Sequence, residues 1–370
     1  MSELADLVET SDRFADLYAR LRDGNPAALQ GVMQRLGSLK ASQPQSLAHA
    51  ERFATALACL PRADREALER ELASCARARE APTTSLQERE MLLVREQILR
   101  TCLLAGESAP RAGAPKIVHL VKTDSDDRDL PLVQYLCYRS VVAHCQGYRI
   151  LLHTPSIPEG ARWKALLADI EPVVAMPPQW LGNRRLMLAA HQSDVWRVRK
   201  LIQQGGIYLD WDLLLLRPPD ALLGNVCAMA LEKREPGYQE VLGNAALVAE
   251  PGSVFLSSWL EEMAIHFNPA KYTAHSVLLA RRLAIKRPAL VRTLPFQAFY
   301  DPGWTDEAMR LLFDPARKLP PEALEARFAQ SVGMHLFCSH ENFLRYSASL
   351  TERDIAQPRC NLALLMKPYL

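Results

Sequence analysis

The fold turns on "GGIYLDWDLLLLRP", residues Gly205 to Pro218. Ile207, Tyr208 and Leu209 read as a buried strand, and two aspartates, Asp210 and Asp212, follow one residue apart. Carboxylates at the end of an apolar run stay ionised only where something compensates their charge. In an extended chain, side chains at i and i+2 point the same way, so Asp210 and Asp212 share a face and Trp211 takes the other. Such a pair can hold one hard divalent cation, or one acid can bind metal while its neighbour meets a sugar hydroxyl. The bland alternative is an acidic surface turn after a strand. Gly205-Gly206 ends the preceding helix and turns the chain tightly into the strand.

Outward from this stretch, strand and helix alternate. "KIVHLV" reads as a strand, Leu132 to Cys145 as a helix, "YRILLHT" as a strand, and 159–168 as a helix. "PVVAM" follows as a third strand, then a long helix over 186–203, and then the motif strand. This order predicts an α/β fold with a mostly parallel sheet covered by helices, whose ligands bind beyond the strands' carboxyl ends. No G-x-G-x-x-G and no G-x-x-x-x-G-K-[ST] occurs, so neither a dinucleotide nor a P-loop site is indicated.

Residues 1–105 read as helices only, with Phe14, Leu17, Tyr18 and Leu21 at helical spacing and a capping box at Ser85 and Glu88. "GESAPRAGAP" (106–115) is a linker by composition, and 116–370 form the α/β domain. The chain has 370 residues, 49% of them hydrophobic, and a net charge of +2, so no nucleic-acid partner is indicated. No run approaches the roughly 20 apolar residues of a membrane span, and the acidic, amphipathic start argues against a signal peptide. The eight cysteines show no CxxC pairing, which favours reduced thiols and a cytoplasmic location. His144, His153, His191, His266 and His275 show no mutual metal spacing.

The helix before the motif places Asp194 and Arg197 at i and i+3, on one face. Alone they read as a surface ion pair. Together the pattern S-D-x-x-R-x-x-x-L-x-x-x-G-G-I-Y-L-D-x-D resembles the glycosyltransferase family that carries the DXD sugar-binding motif. That family includes bacterial capsule and lipopolysaccharide transferases, yeast initiating mannosyltransferases and, more distantly, the glucosylating domains of large clostridial toxins. "APKIVHLV", "GNAALVAEPGSVFL" and "GMHLFCSHENF" resemble its opening strand, a later segment and its C-terminal histidine element, so the likeness spans about 115 to 345.

The resemblance implies a GT-A-type fold, a Rossmann-like mixed sheet flanked by helices. It also implies a nucleotide-sugar donor, Mn²⁺ or Mg²⁺, and sugar transfer with retention. A UDP-hexose is the favoured donor and GDP-mannose the alternative; the acceptor is a glycan or a protein. Carried over by position, Asp194 and Arg197 look like the pair at the donor sugar, with Arg197 also reaching phosphate. Tyr208 and Asn244 look like donor contacts, Asp210 like the carboxylate near ribose, sugar and metal, and Asp212 and His335 like metal ligands. His119 and Lys122 join the donor set from the opening strand, although a histidine inside an apolar strand is more often a core residue.

Two features depart from the family pattern: Lys122 stands where a base-stacking tryptophan is usual, and the C-terminal Ser-Trp element is missing, with His340 near its place. His340-Glu341-Asn342 also matches an element of arginine-glycosylating effectors, but at the wrong distance from the motif. A catalytically silent scaffold and a nucleotidyltransferase are the competing readings. For 1–105, packing on the catalytic domain, acceptor recognition, a homodimer contact and docking to a membrane-bound assembly are the roles left open.

Overall fold

The structure, a computed structural model, describes residues 113–125, 128–232, 240–271 and 273–370, with residues 73, 74 and 77, which are helical. The expectations for 1–105 and for most of the linker lie outside the described residues. Strands β1 (Ile117–Val121), β2 (Arg149–Thr154) and β3 (Glu171–Val174) alternate with helices α1 (Leu132–His144) and α2 (Ala161–Leu166). A short hairpin, β4 (Trp180–Leu181) and β5 (Arg184–Arg185), leads to α3 (Ala189–Gln204) and β6 (Gly206–Leu209). Then come β7 (Leu213–Leu215), β8 (Cys227–Glu232), β9 (Val241–Ala249), α4 (Val254–His266), α5 (Val277–Lys286) and β10 (Arg292–Leu294). The chain continues through α6 (Asp306–Phe313), α7 (Pro321–Arg327), β11 (Gly333–His335), α8 (Glu341–Ser347), α9 (Glu352–Ala356) and α10 (Asn361–Met366).

Seven strands form one sheet in the order β10-β8-β9-β6-β1-β2-β3. The β1–β2, β2–β3, β1–β6 and β8–β10 pairings are parallel, whereas β9 runs antiparallel to both β6 and β8. The result is a mixed α/β sheet flanked by helices. The expected "mostly parallel" pattern holds for the first half. It missed β9, whose glycine and alanines dilute the apolar alternation that marks a strand.

Alternation sorts the side chains into two cores. Val118, Leu120, Ile207 and Leu209 pack with Tyr138 of α1 and Trp163 of α2. Tyr208 points the other way and packs with Val195, Val198 and Leu201 of α3 and Trp259 of α4. A third core joins Leu214 of β7 and Met334 of β11 to the C-terminal helices through Met309, Leu312 and Leu362. The double glycine is required locally. At Gly205 (φ 64°) a Cβ would fall 2.5 Å from the Pro251 ring, and at Gly206 (φ 105°) 2.4 Å from the Ile117 carbonyl oxygen. Only glycine lets the chain leave α3 and pair at once with β1.

The described cysteines, Cys137, Cys145, Cys227, Cys338 and Cys360, are buried free thiols. Among the described residues no helix is long and apolar enough to cross a membrane.

Candidate active site

The chain does not stay extended through the two aspartates. β6 stops at Leu209, and a turn closed by Leu213 N–H donating to the Asp210 carbonyl (3.1 Å) redirects it into β7. Asp210 N–H donates to the Ala245 carbonyl of β9 (2.8 Å), which anchors the turn to the sheet. β7 then pairs with β11, placing His335 opposite Leu213. Beyond that pair, Leu336 N–H donates to the Asp212 carbonyl (3.0 Å) and Cys338 N–H to Asp212 Oδ2 (2.8 Å). His335 Nε2 lies 3.2 Å from Asp212 Oδ1. The side-chain ligand atoms of Asp210, Asp212 and His335 consequently all lie within 4.8 Å of one another. The carboxylates converge as expected, but through a turn rather than through strand alternation.

Burial dominates the electrostatics of this group and is opposed by pairing. Burial alone would raise the Asp212 pKa, yet His335 and the Cys338 amide hold it below the usual carboxylate value. Burial likewise opposes a charged His335, and the field of Asp212 overcomes it and raises the imidazole. His335 is hemmed in by Phe337, whose ring centroid is 4.0 Å away, and meets Tyr300 edge-on at 5.8 Å. Phe337 adopts φ 53°, a left-handed conformation that costs energy for a bulky residue and is held here by its surroundings.

Arg197 is the hub of the second half of the site. It is 5% exposed, so it does not belong to a surface ion pair. Nε donates to the Ser193 carbonyl (3.1 Å), Nη2 to Ser193 Oγ (2.8 Å), and Nη1 to the Asn244 carbonyl (2.7 Å) and Asp210 Oδ2 (3.3 Å). Nη2 also lies 3.6 Å from Asp194 Oδ1. The guanidinium sits over the Tyr208 ring, 4.4 Å from its centroid, and the Tyr208 hydroxyl donates to Asp210 Oδ1. Asn244 Nδ2 donates to Asp194 Oδ1 (2.7 Å). Burial works against the Arg197 charge, but Asp210 and the other oxygens around it raise its pKa. Every donor of the guanidinium is directed at protein oxygen. The guanidinium clamps α3, β6 and β9 around the acids. Tyr208, 1% exposed, is a partner of Asp210 and Arg197.

Two candidates lie elsewhere. His119 is fully enclosed, with Nδ1 2.9 Å from His153 Nε2 and Nε2 2.9 Å from the Gly205 carbonyl. It braces the α3–β6 turn from behind, enclosed in the core as a histidine inside an apolar strand often is. Lys122, just past β1, donates to the backbone and side chain of Asp124, at 2.7 Å each. His340 caps α8 by accepting from Asn342 N–H (3.2 Å), and Glu341 is exposed, so this tripeptide has a structural part. Sequence reasoning missed Ser193, His275, Tyr300 and Phe337. Ser193 was legible as the serine of the pattern, while the other three carried no local signal.

The buried histidine pair makes a pH prediction. Burial, with Lys200 and Arg149 nearby, lowers the His119 pKa to about 4 despite its bond to Gly205, and burial lowers His153 to about 2. Below the unfolded value near 6.5 the unfolded chain takes up protons that the folded one refuses, so stability falls as pH drops from about 6.5 toward 4. The His119 part is about 3 kcal/mol. Urea unfolding at several pH values should show this slope in the wild type and a shallower one in His119→Phe. Equal slopes would refute it.

Residues 132–228 match the family described as "Glycosyltransferase sugar-binding region containing DXD motif". The chain is 29% identical over 187 residues to "Glucan organizing enzyme 1" of Cryptococcus neoformans var. grubii serotype A, covering 49% of this chain and 51% of that protein. It thus spans about half the length of this curated relative. Two solved glycosyltransferases are distantly similar. The apo form of GlyE from Streptococcus pneumoniae TIGR4 aligns with TM-score 0.34 and 13% identity, over 50% of this chain and 46% of that one. The PaToxG glycosyltransferase aligns with TM-score 0.33 and 10% identity, over 80% and 98%. Neither likeness is close enough to bear on residue roles.

Proposed function

From the match of residues 132–228 to a glycosyltransferase sugar-binding region of the DXD type, we propose that the chain is a metal-dependent retaining glycosyltransferase. It moves a hexose or N-acetylhexosamine from a nucleotide-sugar, with UDP favoured over GDP-mannose, to a glycan or protein acceptor in the cytoplasm. The observation that carries this reading is the convergence of Asp210, Asp212 and His335 within 4.8 Å. Two carboxylates and one imidazole suit Mn²⁺ or Mg²⁺, and the nitrogen donor favours Mn²⁺. When bound, the cation supplies positive charge to offset the negative charge that builds on a departing diphosphate.

The chain's own residues do the rest. Asp212 and His335 are fixed by the β7–β11 pairing, and Asp210 by Tyr208, Arg197 and the Ala245 carbonyl. Asp194 and Asn244, tied to each other at 2.7 Å, present an acceptor and a donor to the hydroxyls of a sugar ring. The acids are engaged by protein partners, which fits attack by the acceptor on the leaving-group face, without a protein nucleophile.

The test is calorimetric titration of the full chain with UDP-glucose, UDP-N-acetylglucosamine and GDP-mannose, with and without Mn²⁺, together with an assay for released nucleotide. Saturable binding that needs Mn²⁺, with slow hydrolysis, is expected. Absence of binding by every donor would overturn the reading, and binding with no turnover would favour a catalytically silent relative.

A further inference from the structure

Behind Asp194 lies a buried imidazole that the reading above does not use. His275 sits in the turn that leads into α5, is fully enclosed, and has its ring against His191 at 4.7 Å and Phe267 at 4.8 Å. Its backbone is pinned, since Trp259 Nε1 of α4 donates to the His275 carbonyl (3.3 Å). Neither ring nitrogen has a hydrogen-bond partner among the described residues. Nε2 points at Asp194 Oδ2, 3.5 Å away, while the other oxygen of that carboxylate accepts from Asn244. A buried polar group without a partner is costly, and its persistence asks for a use. In ligand-free sites such contacts are commonly long and tighten when the ligand binds.

We propose that His275 is a positioning residue: it holds Asp194 from behind, so that the carboxylate and Asn244 meet the donor's sugar ring in one fixed orientation. With Nε2 protonated, the imidazole donates to Oδ2 and leaves Oδ1 to Asn244. One carboxylate is then gripped from two sides, by α5's leading turn and by β9. Asp194 lies on α3, so its side chain could otherwise rotate about its two side-chain bonds. The interaction joins the donor site to the α4–α5 layer and rests on the assignment of Asp194 to the donor sugar.

Two measurements separate this inference from that assignment. The first needs no ligand: ¹H–¹⁵N spectra of the imidazoles, with His275 identified by its loss in His275→Gln. The His275 Nε2 resonance is expected to move in Asp194→Asn. An unchanged resonance overturns the inference. The second compares UDP with UDP-glucose by calorimetry in the presence of Mn²⁺. His275→Leu should weaken UDP-glucose about tenfold and leave UDP unchanged, as loss of one hydrogen bond to a charged group predicts, and His275→Gln should recover most of the loss. Equal weakening of both ligands, or none, overturns the inference in favour of a packing role. If wild type binds neither ligand while the imidazole resonance does move, the assignment of the donor site fails. The contact with Asp194 then stands, and its role in sugar recognition falls.

Discussion

An Asp212→Asn variant is expected to fold, less stable by what the Asp212 charge draws from His335, and to lose Mn²⁺-dependent binding of UDP-glucose, with hydrolysis down by about a thousandfold. The side chain has two separable jobs. Its Oδ2 accepts the Cys338 N–H, and its Oδ1 faces His335. These contacts hold the segment after β11 against the turn after β6. Asparagine still offers one carbonyl oxygen to the Cys338 amide but carries no charge for a cation. Asp212→Ala should lose both functions, with a further stability cost of about 1–3 kcal/mol for an unpaired buried amide. Calorimetry with Mn²⁺ and urea unfolding, run on both variants, give the comparison. If the asparagine variant binds UDP-glucose with Mn²⁺ as tightly as wild type, Asp212 is no metal ligand and the proposed chemistry loses its centre.

Arg197→Met is expected to have the other large effect, on stability as well as on activity. The guanidinium bridges Ser193 of α3, Asp210 after β6 and Asn244 of β9, and stacks over Tyr208. Methionine fills similar volume but leaves Asp210 and Asp194 without their shared countercharge. Breaking a buried ion pair on one side typically costs about 3–5 kcal/mol. Nucleotide-sugar hydrolysis should fall at least a hundredfold, because the acids proposed to meet the donor lose their fixed orientation. Arg197→Lys should rescue little, since an ammonium cannot reproduce a planar fork of donors reaching three elements. The check is a urea melt beside the hydrolysis assay. Were Arg197→Met as stable as wild type, the clamp would be no part of what holds the sheet and helix together.

These two side chains also separate what was readable from what was not. Arg197 and Asp194 announced themselves by helical spacing, and Asp210 and Asp212 by their place after an apolar run. What their spacing could not disclose was burial: the same pair fits a solvated helix face. Burial follows from β9, which inserts antiparallel beside β6 and covers Arg197 with Asn244. His335 entered only through a family likeness, because it reaches Asp212 by a strand pairing across more than a hundred residues. No local pattern encodes such a pairing.

The alternation of β1, α1, β2, α2, β3, α3 and β6 and the acids at the end of β6 were set by the amino-acid sequence alone, because they depend on periodicity between near neighbours, whereas the β4–β5 hairpin and the steric need for glycine at 205 and 206, which comes from Pro251 and Ile117 far away in the chain, were not. Which acids share a counterion, which histidines face the site and which brace the core, and the turn that aims Asp212 were decided by tertiary structure alone. Those outcomes depend on partners distant in the chain, and a charge's environment is defined only once β9 and β11 have closed around it.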